Sequence, residues 1–270
     1  MATRRASDLS TYERLSPNRT RPRPKPIKRL TPHCMAGNLS IERCMALPAF
    51  ISPNPSGGGT SCTYCIGSDG RIGLNVQETD APWTSSSSIN DRQAITFEIA
   101  NSGGAPNWPM TDSAIDSFVK LAIDICKFYG FKKVHYEEKP STVVTKAEVE
   151  AWIATWEKPD EMIITLHRWY TAKACPGAYF MGKLPDLVKE INLALNPQVV
   201  PTFTPYKIKI TANTLRVRKG PGTDYPIVMT LRNDPNIYTI IDESDGIGAK
   251  KWGKLKSGAG WISLDYTKRV

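Results

Sequence analysis

Hydrophobic spacing changes character along this chain. Between Thr111 and Gly130 the apolar residues Ile115, Phe118, Val119, Ala122, Ile123 and Cys126 recur at three- and four-residue intervals, which predicts a helix capped by Thr111 or Asp112 and ended by Gly130. A capping-box pattern, Thr145-Lys146-Ala147-Glu148, predicts a second helix to about Trp156. Leu187, Val188, Ile191 and Leu195 predict a third, beginning near Pro185 and stopping at Asn196-Pro197. Ser40 reads as the N-cap of a further helix start. Between these lie short strand-like runs: Ile27 to Thr31, Ala94 to Ala100, Met162 to Thr165, and Tyr64 to Ile72 as two strand halves joined at Asp69-Gly70. Strands alternating with helices predict an α/β layer structure with a central mixed β-sheet flanked by helices. From Tyr206 onward the period falls to two, in short runs separated by Gly, Pro and Asp, which predicts a small all-β barrel.

Composition sharpens this division. Residues 1–30 carry nine Lys or Arg against two acidic groups, residues 31–205 fourteen against eighteen, and residues 206–270 twelve against six. The net charge of +9 is thus +7, −4 and +6 along the chain. Residues 1–26 hold four prolines and almost no apolar periodicity, and are expected to form a basic arm, solvated and ordered only where it meets the next domain. Residues 27–196 form the expected catalytic domain, 197–205 a Pro-containing linker, and 206–270 the barrel. Basic charge at both ends points to attraction to a polyanion rather than to a need of the reaction. No run of apolar residues approaches membrane-spanning length, so no membrane insertion is expected. The N-terminus has no secretory h-region, so synthesis and retention in the cytosol are expected. The six cysteines are too scattered for a disulfide framework; reduced thiols are expected, one of them on a metal.

The candidate chemistry is concentrated in His167-Arg168-Trp169-Tyr170-Thr171-Ala172-Lys173-Ala174-Cys175-Pro176-Gly177, which follows a strand-like run and places an imidazole, an ammonium and a thiol within nine residues. A catalytic zinc takes three protein ligands from His, Cys and carboxylate and keeps its fourth position open. His167 and Cys175 supply two, and His33, at the end of another strand-like run, is the third candidate in a chain of only three histidines. Glu98 stands alone in the apolar run Ala94 to Ala100, where a carboxylate is costly unless paired or coordinated.

His33 in Pro32-His33-Cys34-Met35-Ala36-Gly37-Asn38, Glu98 in Ile95-Thr96-Phe97-Glu98-Ile99-Ala100-Asn101, and His167, Lys173 and Cys175 in their segment together resemble the zinc-dependent N-acetylmuramoyl-L-alanine amidases of the amidase type 2 family, related to peptidoglycan recognition proteins. The resemblance runs from about Ile27 to Asn196. It implies Zn²⁺ on His33, His167 and Cys175, Glu98 as general base, Lys173 stabilising the oxyanion, and peptidoglycan as substrate, cut between N-acetylmuramic acid and L-alanine. Two positions depart from the pattern: Cys34 stands where many relatives carry a second histidine, and Cys62 where some carry a catalytic tyrosine. Tyr64, two residues along the same strand, would share a face with Cys62 and is a candidate substrate contact, as are Trp169 and Trp83. Leu215-Arg216-Val217-Arg218-Lys219-Gly220-Pro221-Gly222, with Trp252-Gly253 and Gly260-Trp261-Ile262, resembles bacterial SH3 domains, which implies cell-wall binding, with anionic wall polymers as partners of its basic surface. The tandem implies a phage or prophage endolysin that acts on the wall after release, with no nucleic-acid partner.

Two other readings use the same residues. In one, Cys175 is the nucleophile of a wall peptidase and His167 its base; in the other, the chain binds muropeptides without cutting them. Cys62 and Cys65 are expected to point to opposite faces of a strand, which removes them as a metal or redox pair. His135 is expected to serve a surface or core role.

Overall fold

The computed structural model describes residues 4–53, 59–197 and 203–270; the glycine-rich stretch 52–60, a loop by its sequence, lies outside them at 54–58, as do residues 198–202 of the expected linker. The chain divides into two compact units, Met1–Gln198 and Val199–Val270.

The first unit runs β1 (Tyr12–Glu13), β2 (Arg19–Thr20), β3 (Arg29–Cys34), α1 (Ile41–Met45), α2 (Pro48–Ile51), β4 (Tyr64–Ile66), β5 (Ile72–Leu74), β6 (Ala81–Pro82), α3 (Ser88–Asp91), β7 (Ala94–Ile99), α4 (Asp112–Tyr129), β8 (Lys133–His135), α5 (Lys146–Ala154), β9 (Glu161–Ile164), a 3₁₀ turn (His167–Trp169) and α6 (Ala178–Leu195). Seven strands form a mixed sheet in the order β1-β5-β4-β7-β3-β9-β8. Only the β4–β5 hairpin is antiparallel; β4, β7, β3, β9 and β8 run parallel, and β1 runs parallel to β5 at the edge.

Strand alternation divides this sheet into two faces of different chemistry. Ile95, Phe97 and Ile99 of β7, with Tyr64 and Ile66 of β4, pack against Phe118, Leu121 and Ile125 of α4 and Phe180 and Leu184 of α6. Phe97, Phe118 and Phe180 meet edge to face at 5.3 and 5.2 Å, a geometry the ring quadrupoles favour. The opposite face carries polar groups: Thr31 and His33 from β3, Thr96 and Glu98 from β7. It also carries a second apolar cluster in which Ile41, Cys44 and Met45 of α1 cover Cys62 and Cys65.

The helices obey their sequence signals with one exception. Thr111 accepts from Ala114 N and Gly130 closes α4 at φ 79°, a left-handed position that glycine adopts without strain. Both halves of the Thr145–Glu148 capping box are formed, and Ser40 caps α1. The helix expected to start near Pro185 starts seven residues earlier, at Ala178, with Pro185 inside it. Pro185 lies on the exposed side of the helix, where the i+4 donor it denies to Met181 is lost near the surface rather than in the core.

Residues 4–26 are not the solvated leader expected of them. Thr11, Arg14 and Ser16 donate their N–H groups to carbonyls of Ile72, Leu74 and Asn75. Arg4 pairs with Glu78 at 3.0 Å and Asp124 at 2.6 Å. Arg23 donates to the carbonyls of Glu78, Asp80 and Ala94 at 2.7 to 3.0 Å. Basic residues that read as solubilising are instead held by buried acceptors, which composition does not reveal.

The second unit contains β10 (Tyr206–Ile210), β11 (Thr214–Arg218), β12 (Ile227–Arg232), β13 (Tyr238–Gly246), β14 (Ala249–Leu255), β15 (Trp261–Ser263) and β16 (Thr267–Arg269). They pair antiparallel in the order β12-β11-β15-β14-β13-β10-β16. The fold class is therefore that read from the sequence, a mixed α/β unit and a separate all-β one. Its core is Ile208, Ile210, Leu215, Val217, Ile240, Leu255 and Ile262. Arg218 ties the Pro221 to Tyr225 turn by donating to the carbonyls of Thr223 (2.9 Å) and Tyr225 (2.6 Å).

Among the described residues, no helix is long and apolar enough to cross a membrane.

Candidate metal centre and cleft

Three separate elements deliver the candidate ligands. His33 ends β3, His167 opens the 3₁₀ turn after β9, and Cys175 lies in the loop before α6. Their ligand atoms lie within 4.8 Å of one another, the one such group among the described residues. Cys175 Sγ is 3.4 Å from His33 Nδ1, and the two imidazoles face each other at 4.9 Å between centroids. Gly177, at φ 97°, lets the loop after Cys175 turn beneath Trp108, where a Cβ would sit 2.7 Å from the Trp108 Cβ.

The electrostatics suit a cation that is not a proton. His33 is 1% exposed; burial and the neighbouring His167 hold its pKa well below the ordinary value. Burial, Lys173 and Lys146 bring His167 down to about 4. Both rings are therefore neutral at pH 7, as ligation requires. Cys34 N donates to Cys175 Sγ at 3.4 Å. The thiols of Cys34 and Cys175 also interact, so the first proton leaves the pair at about 7 and the second is held well above the ordinary thiol value.

Glu98 is the register partner of His33 across β3 and β7, and of Cys65 across β7 and β4. Aligned residues on neighbouring strands share a face, so Glu98 lies beside His33 on the face that carries the candidate ligands. Burial, then Cys44 and Cys34, push its carboxyl well above the usual carboxylate range. Lys173 is exposed on the wall of a cleft of ≈ 470 Å³ that also takes in His167, Ser86 and Trp83. Trp83 is 36% exposed, its indole fixed by a 3.0 Å hydrogen bond to Thr20 Oγ1.

Two sequence candidates lie elsewhere. Tyr64 is fully buried, pairs with Phe97 rather than Glu98, and faces α4; its hydroxyl donates to Glu78 and accepts from Ser7 N at 2.7 Å. The face argument linking it to Cys62 fails because Cys62 precedes β4 and so escapes strand alternation. For the same reason Cys62 and Cys65 do not diverge: their sulfurs are 3.4 Å apart, with Cys44 Sγ 3.6 Å from Cys65. Trp169, 3% exposed, is turned by the 3₁₀ turn into the core, stacked on Tyr136 and edge-on to Trp152. His135 bridges Glu161 and Glu137 at 3.0 Å each.

A polar layer beneath the ligands went unread. Thr31 and Thr165 hydroxyls meet at 2.8 Å, and Asn90 donates to Thr31 (3.1 Å) and accepts from Thr165 (2.9 Å). Thr96 bonds Thr84 at 3.0 Å and receives Thr63 N at 3.0 Å. The signal was present as a repeat: Thr31-Pro32-His33, Thr96-Phe97-Glu98 and Thr165-Leu166-His167 each place a threonine two residues before a site residue, one layer deeper in an extended chain.

The family model for N-acetylmuramoyl-L-alanine amidase matches residues 23–178, more than half of the chain, with His33, Glu98, His167 and Cys175 inside the match. The chain belongs to this amidase family. The amidase is a hydrolase of peptidoglycan. Among solved structures, it is similar to the Staphylococcus aureus hydrolase AmiA in complex with its ligand (13% identity, 74% of this chain and 98% of that one, TM-score 0.47). It is also similar to the PlyG catalytic domain (15%, 71% and 98%, 0.45) and to the endolysin LysCS from Clostridium intestinale (10%, 68% and 97%, 0.44). At these identities and scores the likeness adds nothing to the family assignment. No curated protein matches the amidase.

Proposed function

We propose that the amidase hydrolyses the amide between N-acetylmuramic acid and L-alanine with Zn²⁺ held by His33, His167 and Cys175. The observation that carries this reading is the convergence of two neutral imidazoles and a thiol within 4.8 Å, with Glu98 in register beside His33. The donor set fits the metal: two nitrogens and one sulfur leave a tetrahedral ion one open position. The Nδ1 of His33 meets Cys175 Sγ at 3.4 Å, while its buried Nε2 has no hydrogen-bond partner among the described residues. When bound, Zn²⁺ supplies a Lewis acid that lowers the pKa of water to about 7 and polarises the amide carbonyl.

The chain's own residues do the rest. Glu98 accepts the proton of the attacking water and returns it to the departing alanine amine; the burial that raises its carboxyl pKa favours the protonated form from which that return is made. Lys173 offsets the charge that develops on the carbonyl oxygen. Trp83 presents an indole face to the substrate in the cleft. The second unit is SH3-like and holds the enzyme on the wall: its +6 charge over residues 206–270 suits anionic wall polymers, with residues 197–205 as the linker. The combination of a wall amidase and a wall-holding unit supports a phage or prophage endolysin.

Bacterial sacculi treated with the purified protein, with and without a zinc chelator, test this. The expected products are free L-alanine amino termini on intact glycan strands, lost on chelation and restored by Zn²⁺. Cuts within the stem peptide that ignore the chelator would make Cys175 a nucleophile, and binding without cutting would make the protein a muropeptide receptor.

A further inference from the structure

Ser86 belongs to no motif in the sequence, yet it has an unusual backbone and a specific contact. It is one of three non-glycine residues among those described with positive φ, at 60°. That left-handed conformation is unfavourable for serine and persists where the surroundings over-determine it, often at functional sites. Here they do. The Asp91 carboxylate accepts from Thr84 N (2.9 Å), Ser85 N (3.0 Å) and Ser85 Oγ (2.6 Å) on one side of Ser86. Ser87 caps α3 on the other, and Lys146, from the first turn of α5, donates to the Ser86 carbonyl. The outcome of this bracing is that Ser86 Oγ lies 3.1 Å from His167 Nε2.

A metal-binding histidine uses one ring nitrogen for the ion, and the partner of the other nitrogen fixes both the tautomer and the ring plane. His167 Nδ1 has no hydrogen-bond partner among the described residues, and His33 presents its own Nδ1 to Cys175. We infer that Ser86 is a positioning residue of the metal centre: its hydroxyl accepts the Nε2–H of His167, so that the Nδ1 lone pair is presented to the ion, and Lys146 holds the strained loop that makes this possible. The inference rests on the reading of His167 as a ligand. It explains why a strained serine stands in a loop where glycine would be easier to accommodate.

The test uses the full chain with Zn²⁺ alone as probe, its affinity measured by competition with a chromophoric chelator, and Co²⁺ absorption as a report of ligand geometry. Ser86→Gly relieves the backbone strain and deletes the hydroxyl. The metal-free variant is expected to unfold at the wild-type temperature or above while binding Zn²⁺ about 10-fold or more weakly, the low end of what outer-shell partners contribute, with an altered Co²⁺ spectrum. A residue needed only for folding would shift these in the opposite sense. Ser86→Asn, which tolerates positive φ and keeps an acceptor, is expected to recover most of the affinity, and Lys146→Met to lose less than Ser86→Gly. Wild-type affinity and spectrum in Ser86→Gly overturn the inference. His167→Ala is the control for the ligand reading: if it binds Zn²⁺ like the wild type, that reading fails and the role of Ser86 falls with it, whereas tight wild-type binding lost in His167→Ala but kept in Ser86→Gly removes Ser86 alone.

Discussion

The two units of this chain are stabilised by different kinds of interior. The all-β unit is held by a small aliphatic cluster, and among its described residues only Arg218 and Ser263 are buried polar groups. The α/β unit buries a larger apolar core against α4 and α6, and on the other face of the same sheet it buries Thr31, His33, Asn90, Asp91, Thr96 and Thr165. A buried polar group costs free energy unless each of its hydrogen bonds is matched. The first unit meets that cost in more than one place: in the Thr-Asn layer beside the candidate ligands, and around buried Glu78, which takes Arg4 and the Tyr64 hydroxyl. Among its described residues the second unit has no comparable region.

The sharpest way to break this comparison is to remove a ligand. His33→Ala or Cys175→Ala is expected to abolish both zinc content and lysis of sacculi while leaving wall association intact; normal lysis by either variant sinks the mechanism. Glu98→Ala comes next, with lysis reduced by about 10²- to 10⁴-fold but zinc content unchanged when measured by elemental analysis. Loss of both together would make Glu98 structural instead.

A core substitution sharpens the comparison from the other side. Ile240→Ala in the aliphatic cluster is expected to cost about 2–5 kcal/mol in the unfolding of the second unit, seen by calorimetry, with hydrolysis of small soluble muropeptides unchanged. The smallest expected effect is a pH dependence confined to the first unit, which holds all three histidines. In the metal-free protein His33 and His167 have folded pKa values below the unfolded value of about 6.5. The unfolded chain therefore binds more protons, and stability falls as pH drops below about 6.5 and on toward the folded pKa of His167, about 4. Glu98 acts in the opposite sense, since its raised pKa costs stability as pH rises above the carboxylate range. Glu98→Gln should thus show the acid-side loss more clearly, and adding His167→Gln should flatten it; an unchanged slope would mean that His167 is not held neutral.

The sequence was most legible where one local rule acted alone. The capping signals of α4 and α5, the Asp69-Gly70 hairpin, and the period-two strands of the second unit each depend on neighbours a few residues away. The convergence of His33, His167 and Cys175 was legible too, because few residues have their chemistry. What failed depended on which face a side chain took. Tyr64 and Cys62 were assigned by strand alternation, but the strand starts between them. Trp169 follows His167 by two residues, and a 3₁₀ turn sends it inward where a strand would have kept it beside the site. Pro185 marked a helix start only on the assumption that proline cannot sit inside an exposed helix. Arg4 was read by charge alone, while its partners, Glu78 and Asp124, lie far along the chain.

That last separation bears on how the molecule is assembled. Arg4 and Ser7 both bond the carboxylate of Asp124 in α4, and Tyr12–Glu13 just after them closes the outer edge of β5. During synthesis this segment must wait for Asp124 until more than a hundred further residues have emerged, with an uncovered strand edge beside it in the meantime. Chain placed directly ahead of Arg4 would be carried into that late-closing seam, so a bulky insertion there is expected to slow closure more than one in an exposed loop of the same unit.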